Sequence, residues 1–232
     1  MARVLILRPA DDAGATARAL EGRGHTPQIL PAEEIVALCP PLPKGPFAAL
    51  IVTSAHAVPA LAAQPSRPWP EILAVGERTA SALRAAGFER VTVGGGGAEA
   101  LVAPAARLAA MHGLPLLYAA GRVRTDALET ALAAQHVRLS VWEVYDIRPL
   151  DPGPAEIARA TKGAAPEAVL LLSRGQVAAY LRIADRLPQQ PGTAPRLLCL
   201  SPRIADALPA ALRSSAEISP AMSLATLFDH VL

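Results

Sequence analysis

Hydroxyl, glycine and arginine residues recur directly behind short apolar runs in this chain, and those positions are where its chemistry would sit. Thr53 and Ser54 follow residues 49–52, Gly76 follows 72–75, Ser173 follows 168–172 and Ser201 follows 197–200. Arg8 ends the run at 4–7, and Ala119 to Arg122 follow the run at 114–118. Such side chains, with the free backbone N–H groups of a helix starting just after them, hold anionic groups through several weak donors. A serine in that place also serves as a plain helix N-cap, but its recurrence at matching points favours binding. Arg8, followed by Pro9, can equally be a solvated loop charge. Tyr145 differs in kind. It closes the apolar segment 141–145, where its phenol would donate a hydrogen bond or pack as an amphipathic interface side chain. Trp142 and Tyr118 read as structural.

Several chemistries are excluded. No GxSxG elbow surrounds Ser54 or Ser173, and His56 lies two residues from Ser54 with no acid to orient it, so a hydrolase triad is not expected. There is no GxxxxGK[ST] loop and no GxGxxG between a strand and a helix, so nucleotide chemistry lacks its phosphate cradle. The glycine run 94–97 precedes a helix near Ala98, but Glu99 opposes an anion there and a flexible loop is the better reading. Five scattered histidines form no metal cluster; His25, His112, His136 and His230 read as helical surface or boundary residues. Cys39 and Cys199 lack metal spacing and read as packing residues.

The elements that must position these residues follow from periodicity. The runs at 4–7, 49–52, 72–75, 114–118, 168–172 and 197–200 alternate with stretches of helical spacing, which predicts parallel strands covered on both faces by helices. A helix over 11–24 buries Ala13, Ala17 and Leu20 and ends at Gly22 and Gly24. Pro59 and Pro202 fit first helical turns.

The chain also repeats itself. AALIVTSAHAVPAL (48–61) matches EAVLLLSRGQVAAYL (167–181), aligning Ser54 with Ser173, and ILAVGERTASAL (72–83) matches LLCLSPRIADAL (197–208). More loosely, RVLILRP (3–9) pairs with LPLLYAAGR (114–122), each leading through a helix to a strand ending near Leu30 and Tyr145. The expected architecture is α/β: two similar parallel-sheet, three-layer domains joined by a two-stranded crossing. Proline-rich breaks place residues 1–34 and 149–232 in one domain and 35–148 in the other, with a ligand cleft expected between them.

Composition agrees with a folded chain that binds a small molecule. Of 232 residues, 52% are apolar and 18% charged, so disorder is not the main state. A formal charge of +2 is too small to predict a polyanionic partner, and 3% aromatic content argues against stacking platforms for single-stranded nucleic acid. No apolar run reaches the length of a membrane span or signal core, so a cytoplasmic protein that avoids membranes is expected, and with no long exposed apolar stripe evident it is expected to be a monomer.

The segments LILRP, LIVTSAHAV, LAVGERTASALRAAGF, LLYAAGRVRTDALETALAAQHV, WEVYDIRP and LLLSRGQVAAYL, in that order, resemble the uroporphyrinogen-III synthase family. The segment LCLSPRIADAL departs from the family's Gly and paired-Thr pattern, carrying Ser201, Arg203 and Ile204. The resemblance implies a cofactor-independent enzyme without metal that cyclises the linear tetrapyrrole hydroxymethylbilane to uroporphyrinogen III. It implies that Tyr145 assists loss of the terminal hydroxyl. By the same resemblance Thr53, Ser54, Gly76 and Ser173 match cleft residues, while Arg8, Arg122 and Ser201 are expected as further substrate contacts from their places at strand ends. A hinge-closing module that captures an anionic metabolite without catalysis would share this architecture and differs in forming no product.

Overall fold

Ala49, Leu50, Ile51 and Val52 have no exposed surface, nor have Ala168 to Leu171: these runs are strands with both faces covered, each buried leucine or isoleucine contributing about 1.5–3 kcal/mol. The computed structural model describes residues 1–65, 68–95 and 97–231. Gly96, within the glycine run 94–97, lies outside the described residues. The chain divides into two compact units, Met1–Glu34 with Arg148–Leu232, and Ile35–Ile147.

In chain order the elements open with β1 (Arg3–Ile6), α1 (Ala10–Glu21), β2 (Thr26–Ile29) and β3 (Glu33–Ala37). Next come β4 (Ala49–Val52), a 3-10 turn at Ala55–Ala57, α2 (Val58–Ala62), β5 (Glu71–Ala74), α3 (Glu77–Ala85) and β6 (Val91–Val93). They continue through α4 (Val102–His112), β7 (Leu116–Gly121), α5 (Ala127–Ala134), β8 (Leu139–Pro149) and α6 (Pro154–Thr161). The last are β9 (Ala168–Leu171), α7 (Arg174–Ile183), β10 (Arg196–Cys199), α8 (Pro202–Ala205), α9 (Ala210–Arg213), β11 (Ala216–Ile218) and α10 (Leu224–Val231).

The first unit holds a five-stranded sheet in the order β11-β10-β9-β1-β2, and the second sheet runs β3-β8-β7-β4-β5-β6. Matching β1 with β7, β2 with β8, β9 with β4, β10 with β5 and β11 with β6 superposes the two orders, so the duplication read in the sequence is also a duplication of topology. All neighbouring strands of those five-strand arrays pair parallel. Alternation along each strand feeds two cores. In the second unit Leu50, Val52, Leu117 and Ala119 pack under α2 and α3, whereas Ala49, Ile51, Leu116 and Tyr118 pack under α4 and α5. In the first unit Leu5, Val169 and Leu197 face α6 and α7, and Val4, Ile6 and Leu170 face α1 and α10. Each unit is therefore three layers deep. The two crossings, β3 and β8, are neighbours in one sheet.

Local structure departs from the sequence expectation at several points. The first helix stops at Glu21, and the turn beyond it uses Gly24 at φ +80°. His25 lies in the connection between α1 and β2 and His136 in the turn after α5, neither in a helix. Cys39 is exposed and so is not a packing residue, whereas Cys199 is buried. β3, β6 and β11 correspond to no predicted strand, and all three are sheet edges. An edge strand is flanked on one side only and does not need the continuous apolar run that marks a central strand.

Candidate active site at the carboxyl ends of the second sheet

Tyr145 is seated by an irregularity of the backbone. β7 and β8 pair in register from Leu116 with Leu139 to Ala120 with Glu143, then slip so that Gly121 faces Tyr145. The extra residue, Val144, is a bulge, and bulges turn a side chain off the face that simple alternation would give it. Trp142, Val144 and Tyr145 consequently all join the same core cluster. The phenol ring lies over Gly121, where an added Cβ would stand 2.6 Å from Cζ and 2.9 Å from the hydroxyl oxygen. Glycine is required here by close approach. The Arg122 N–H donates to the Tyr145 carbonyl at 2.8 Å and closes the other side of the turn.

Ser54 and His56 complete the surroundings of the phenol. Ser54 is the N-cap of the 3-10 turn, its Oγ accepting from the His56 N–H at 3.3 Å. The His56 ring meets the Tyr145 ring edge-on, with centroids 5.7 Å apart. Tyr145 is 8% exposed. Burial pushes its phenol above the usual tyrosine range, and the Ser54 hydroxyl pulls it partly back. At neutral pH the group is thus a neutral hydrogen-bond donor rather than a phenolate. Next to Ser54, Thr53 Oγ1 shares a 2.9 Å hydrogen bond with the Tyr118 hydroxyl. Tyr118, read from sequence as structural, therefore also fixes a hydroxyl at the end of β4.

Of the other expected contacts, Gly76 is the N-cap of α3, extended and with open space where a Cβ would be. Arg122 is half exposed and directed to the chain's own carboxylates, Glu143 and Asp146, both at 3.4 Å. Thr53, Ser54, Gly76, Arg122 and Tyr145 belong to one unit, the first four just beyond the ends of its strands, and Ser54, Tyr145 and the backbone of Arg122 meet. What the sequence does not announce is the role of Gly121, the last residue of buried β7, as the seat of the phenol ring, and the aromatic role of His56.

Arg8, Ser173 and Ser201 belong to the other unit. Arg8 is directed inward: its Nη2 pairs with Asp12 at 2.7 Å and its Nη1 donates to Thr16 Oγ1 at 2.9 Å. Ser173 caps α7, accepting from the Gln176 N–H at 3.1 Å. The carboxylate of Glu33 already lies against the first turn of that helix and leaves no room for a Cβ at Gly175. Burial raises the Glu33 carboxyl above the usual range, opposed by the Gln176 side chain and by Arg182. Gln176 is itself oriented, its Oε1 accepting from the Leu172 N–H at 2.9 Å. Ser201 is the N-cap residue of α8 and makes no side-chain cap.

Among the described residues no group of three or more His, Cys, Asp or Glu is placed to hold a metal ion, and no helix is long and apolar enough to cross a membrane. What the arrangement can do is hydrogen-bond a departing or charged oxygen with a neutral phenol while hydroxyls and helix-start amides hold polar substituents nearby.

A family model described as uroporphyrinogen-III synthase HemD matches residues 14–223. Two solved structures are similar over nearly the full chain. Uroporphyrinogen-III synthetase from Helicobacter pylori is 17% identical, with 99% of this chain and 97% of that one covered at a TM-score of 0.62. A mutant uroporphyrinogen III synthase from the extremely thermophilic bacterium Thermus thermophilus is 20% identical, with 99% and 96% covered at a TM-score of 0.54. At these identities the likeness speaks to the two-unit α/β fold. No curated protein matches the chain by sequence.

Proposed function

The chain belongs to the uroporphyrinogen-III synthase family of tetrapyrrole synthesis, and from that membership we propose that it is a cofactor-independent lyase. In this reading it closes the linear tetrapyrrole hydroxymethylbilane into uroporphyrinogen III, inverting the terminal pyrrole ring and losing water. The C–O bond of the terminal hydroxymethyl group breaks and its oxygen leaves as water, giving an electrophilic azafulvene. The substituted carbon of the last ring attacks to form a spiro intermediate, whose fragmentation and reclosure invert that ring. Substrate supplies both nucleophile and electrophile, so the protein has to orient and stabilise, and orientation alone is worth up to about 7–11 kcal/mol.

Tyr145 is assigned the role of donor to the departing hydroxyl. The observation that carries this is the neutral phenol, seated over Gly121 by the bulge and flanked by Ser54 and His56. A phenolate could not donate. Ser54 orients the phenol, while Thr53, Gly76 and the first amides of α3 receive carboxylates of the substrate. Arg8 and Arg122 are already matched by Asp12, Glu143 and Asp146, so in this reading they contribute less to binding than hydroxyls and backbone. Ser173 and Ser201 offer two more hydroxyls of the same kind. The enzyme is taken to act as a cytoplasmic monomer on a small molecule, with neither nucleic acid nor membrane as partner.

The test is the product. The chain is incubated with freshly prepared hydroxymethylbilane and the oxidised porphyrin isomers are separated. Formation of isomer III is expected. Isomer I alone, the product of spontaneous closure, would reject the assignment in favour of a binding module without catalysis.

A further inference from the structure

We infer that Arg124 is a positioning residue for Tyr145, holding in place the turn on which the phenol rests; the inference builds on the proposed function. Its guanidinium is one-fifth exposed and bridges four acceptors at once. Nε donates to Glu129 Oε1 on α5 at 2.6 Å, and Nη1 donates to Glu143 Oε1 on β8 at 2.8 Å. The same Nη1 reaches the Gly121 carbonyl at 3.0 Å and the Arg122 carbonyl at 3.3 Å.

Three of these four acceptors bound the bulge. Glu143 is the last residue of β8 in regular register, Gly121 is the residue under the Tyr145 ring, and Arg122 donates its N–H to the Tyr145 carbonyl. The turn from Gly121 to Arg124 is therefore tied on one side to the backbone of Tyr145 and on the other to the guanidinium. Loosening the second tie frees the Gly121 backbone to shift, and the ring packed against it shifts too. A lysine keeps the charge but presents one compact ammonium, which cannot span α5, β8 and two turn carbonyls as the planar fork does.

The full chain is assayed for isomer III formation as wild type, Arg124→Lys, Tyr145→Phe and the double variant, with thermal unfolding recorded for each. If Arg124 acts through the phenol, Arg124→Lys lowers kcat about tenfold with KM changed less than about twofold, and in the Tyr145→Phe background the same replacement lowers kcat less than about twofold. Equal fold-losses in both backgrounds, or a loss carried by KM, would overturn the inference. Should Arg124→Lys not fold, Glu129→Ala removes one anchor of the guanidinium and is held to the same non-additivity. A wild-type chain forming only isomer I sinks the proposed function and this inference together, whereas isomer III with multiplying losses sinks the inference alone.

Discussion

The ring of Tyr145 rests on the backbone of Gly121 so closely that a methyl group at residue 121 would lie 2.6 Å from its Cζ. Ring and glycine are facing partners at the slip between β7 and β8. Gly121→Ala is expected to displace the ring, destabilise the chain by about 1–3 kcal/mol through overpacking, and slow isomer III formation at least about tenfold. Steady-state turnover and denaturant unfolding measure the two effects. A folded Gly121→Ala variant with unchanged turnover would show that the seat of Tyr145 is not critical.

Ser54 serves both the 3-10 turn and the phenol. Ser54→Ala removes the acceptor of the His56 N–H, an N-cap loss of about 0.5–2 kcal/mol. It also removes the group that pulls the Tyr145 pKa down, so the phenol should titrate higher still. Absorbance of tyrosinate against pH reads this shift, with Tyr145→Phe identifying which of the three tyrosines moves. A downward shift would contradict the geometry.

Arg8 is bound into its own unit by Asp12, the two side chains being 12% and 10% exposed. Arg8→Met leaves the Asp12 carboxylate without its guanidinium and should lower stability by about 3 kcal/mol, with Arg8→Met/Asp12→Leu recovering much of it. Chemical denaturation decides. Unaltered stability accompanied by a raised KM would instead make Arg8 a substrate contact.

Glu33 gives a pH signature. Its folded pKa lies above the ordinary 4.5 because of burial, so its contribution to stability is fully present when protonated and is lost as pH rises through the folded value. Glu33→Gln should therefore gain on the wild type as pH climbs from about 4.5 toward neutrality. Unfolding midpoints of both proteins across that range test the sign, and a gap that narrows with rising pH would reverse the assignment.

How far all this could be read from the chain depends on the kind of interaction. Strands β4 and β9 announced themselves because all four of their residues in each case are buried, and burial on both faces leaves an uninterrupted apolar run. The matched serines, Ser54 and Ser173, revealed the duplication because each opens a helical turn at the same point of the topology. The bulge at Val144 carries no such mark: a register slip depends on the partner strand, which local pattern cannot supply. Nor could spacing tell that Arg8 and Arg122 would turn to Asp12, Glu143 and Asp146, or that Glu33, from a strand far away in sequence, would reach the first turn of α7. Long-range polar pairing is decided by tertiary placement, and that is where the sequence reading of the site ran out.

Assistance by the Tyr145 phenol in loss of the substrate hydroxyl is the central claim. The most direct measurement is the initial rate of isomer III formation from fresh hydroxymethylbilane by Tyr145→Phe beside the wild type, with unfolding curves to establish that both are folded. The rate is expected to fall at least about tenfold, or ~1.4 kcal/mol, with the fold kept. A folded Tyr145→Phe protein that makes isomer III at the wild-type rate would contradict the claim.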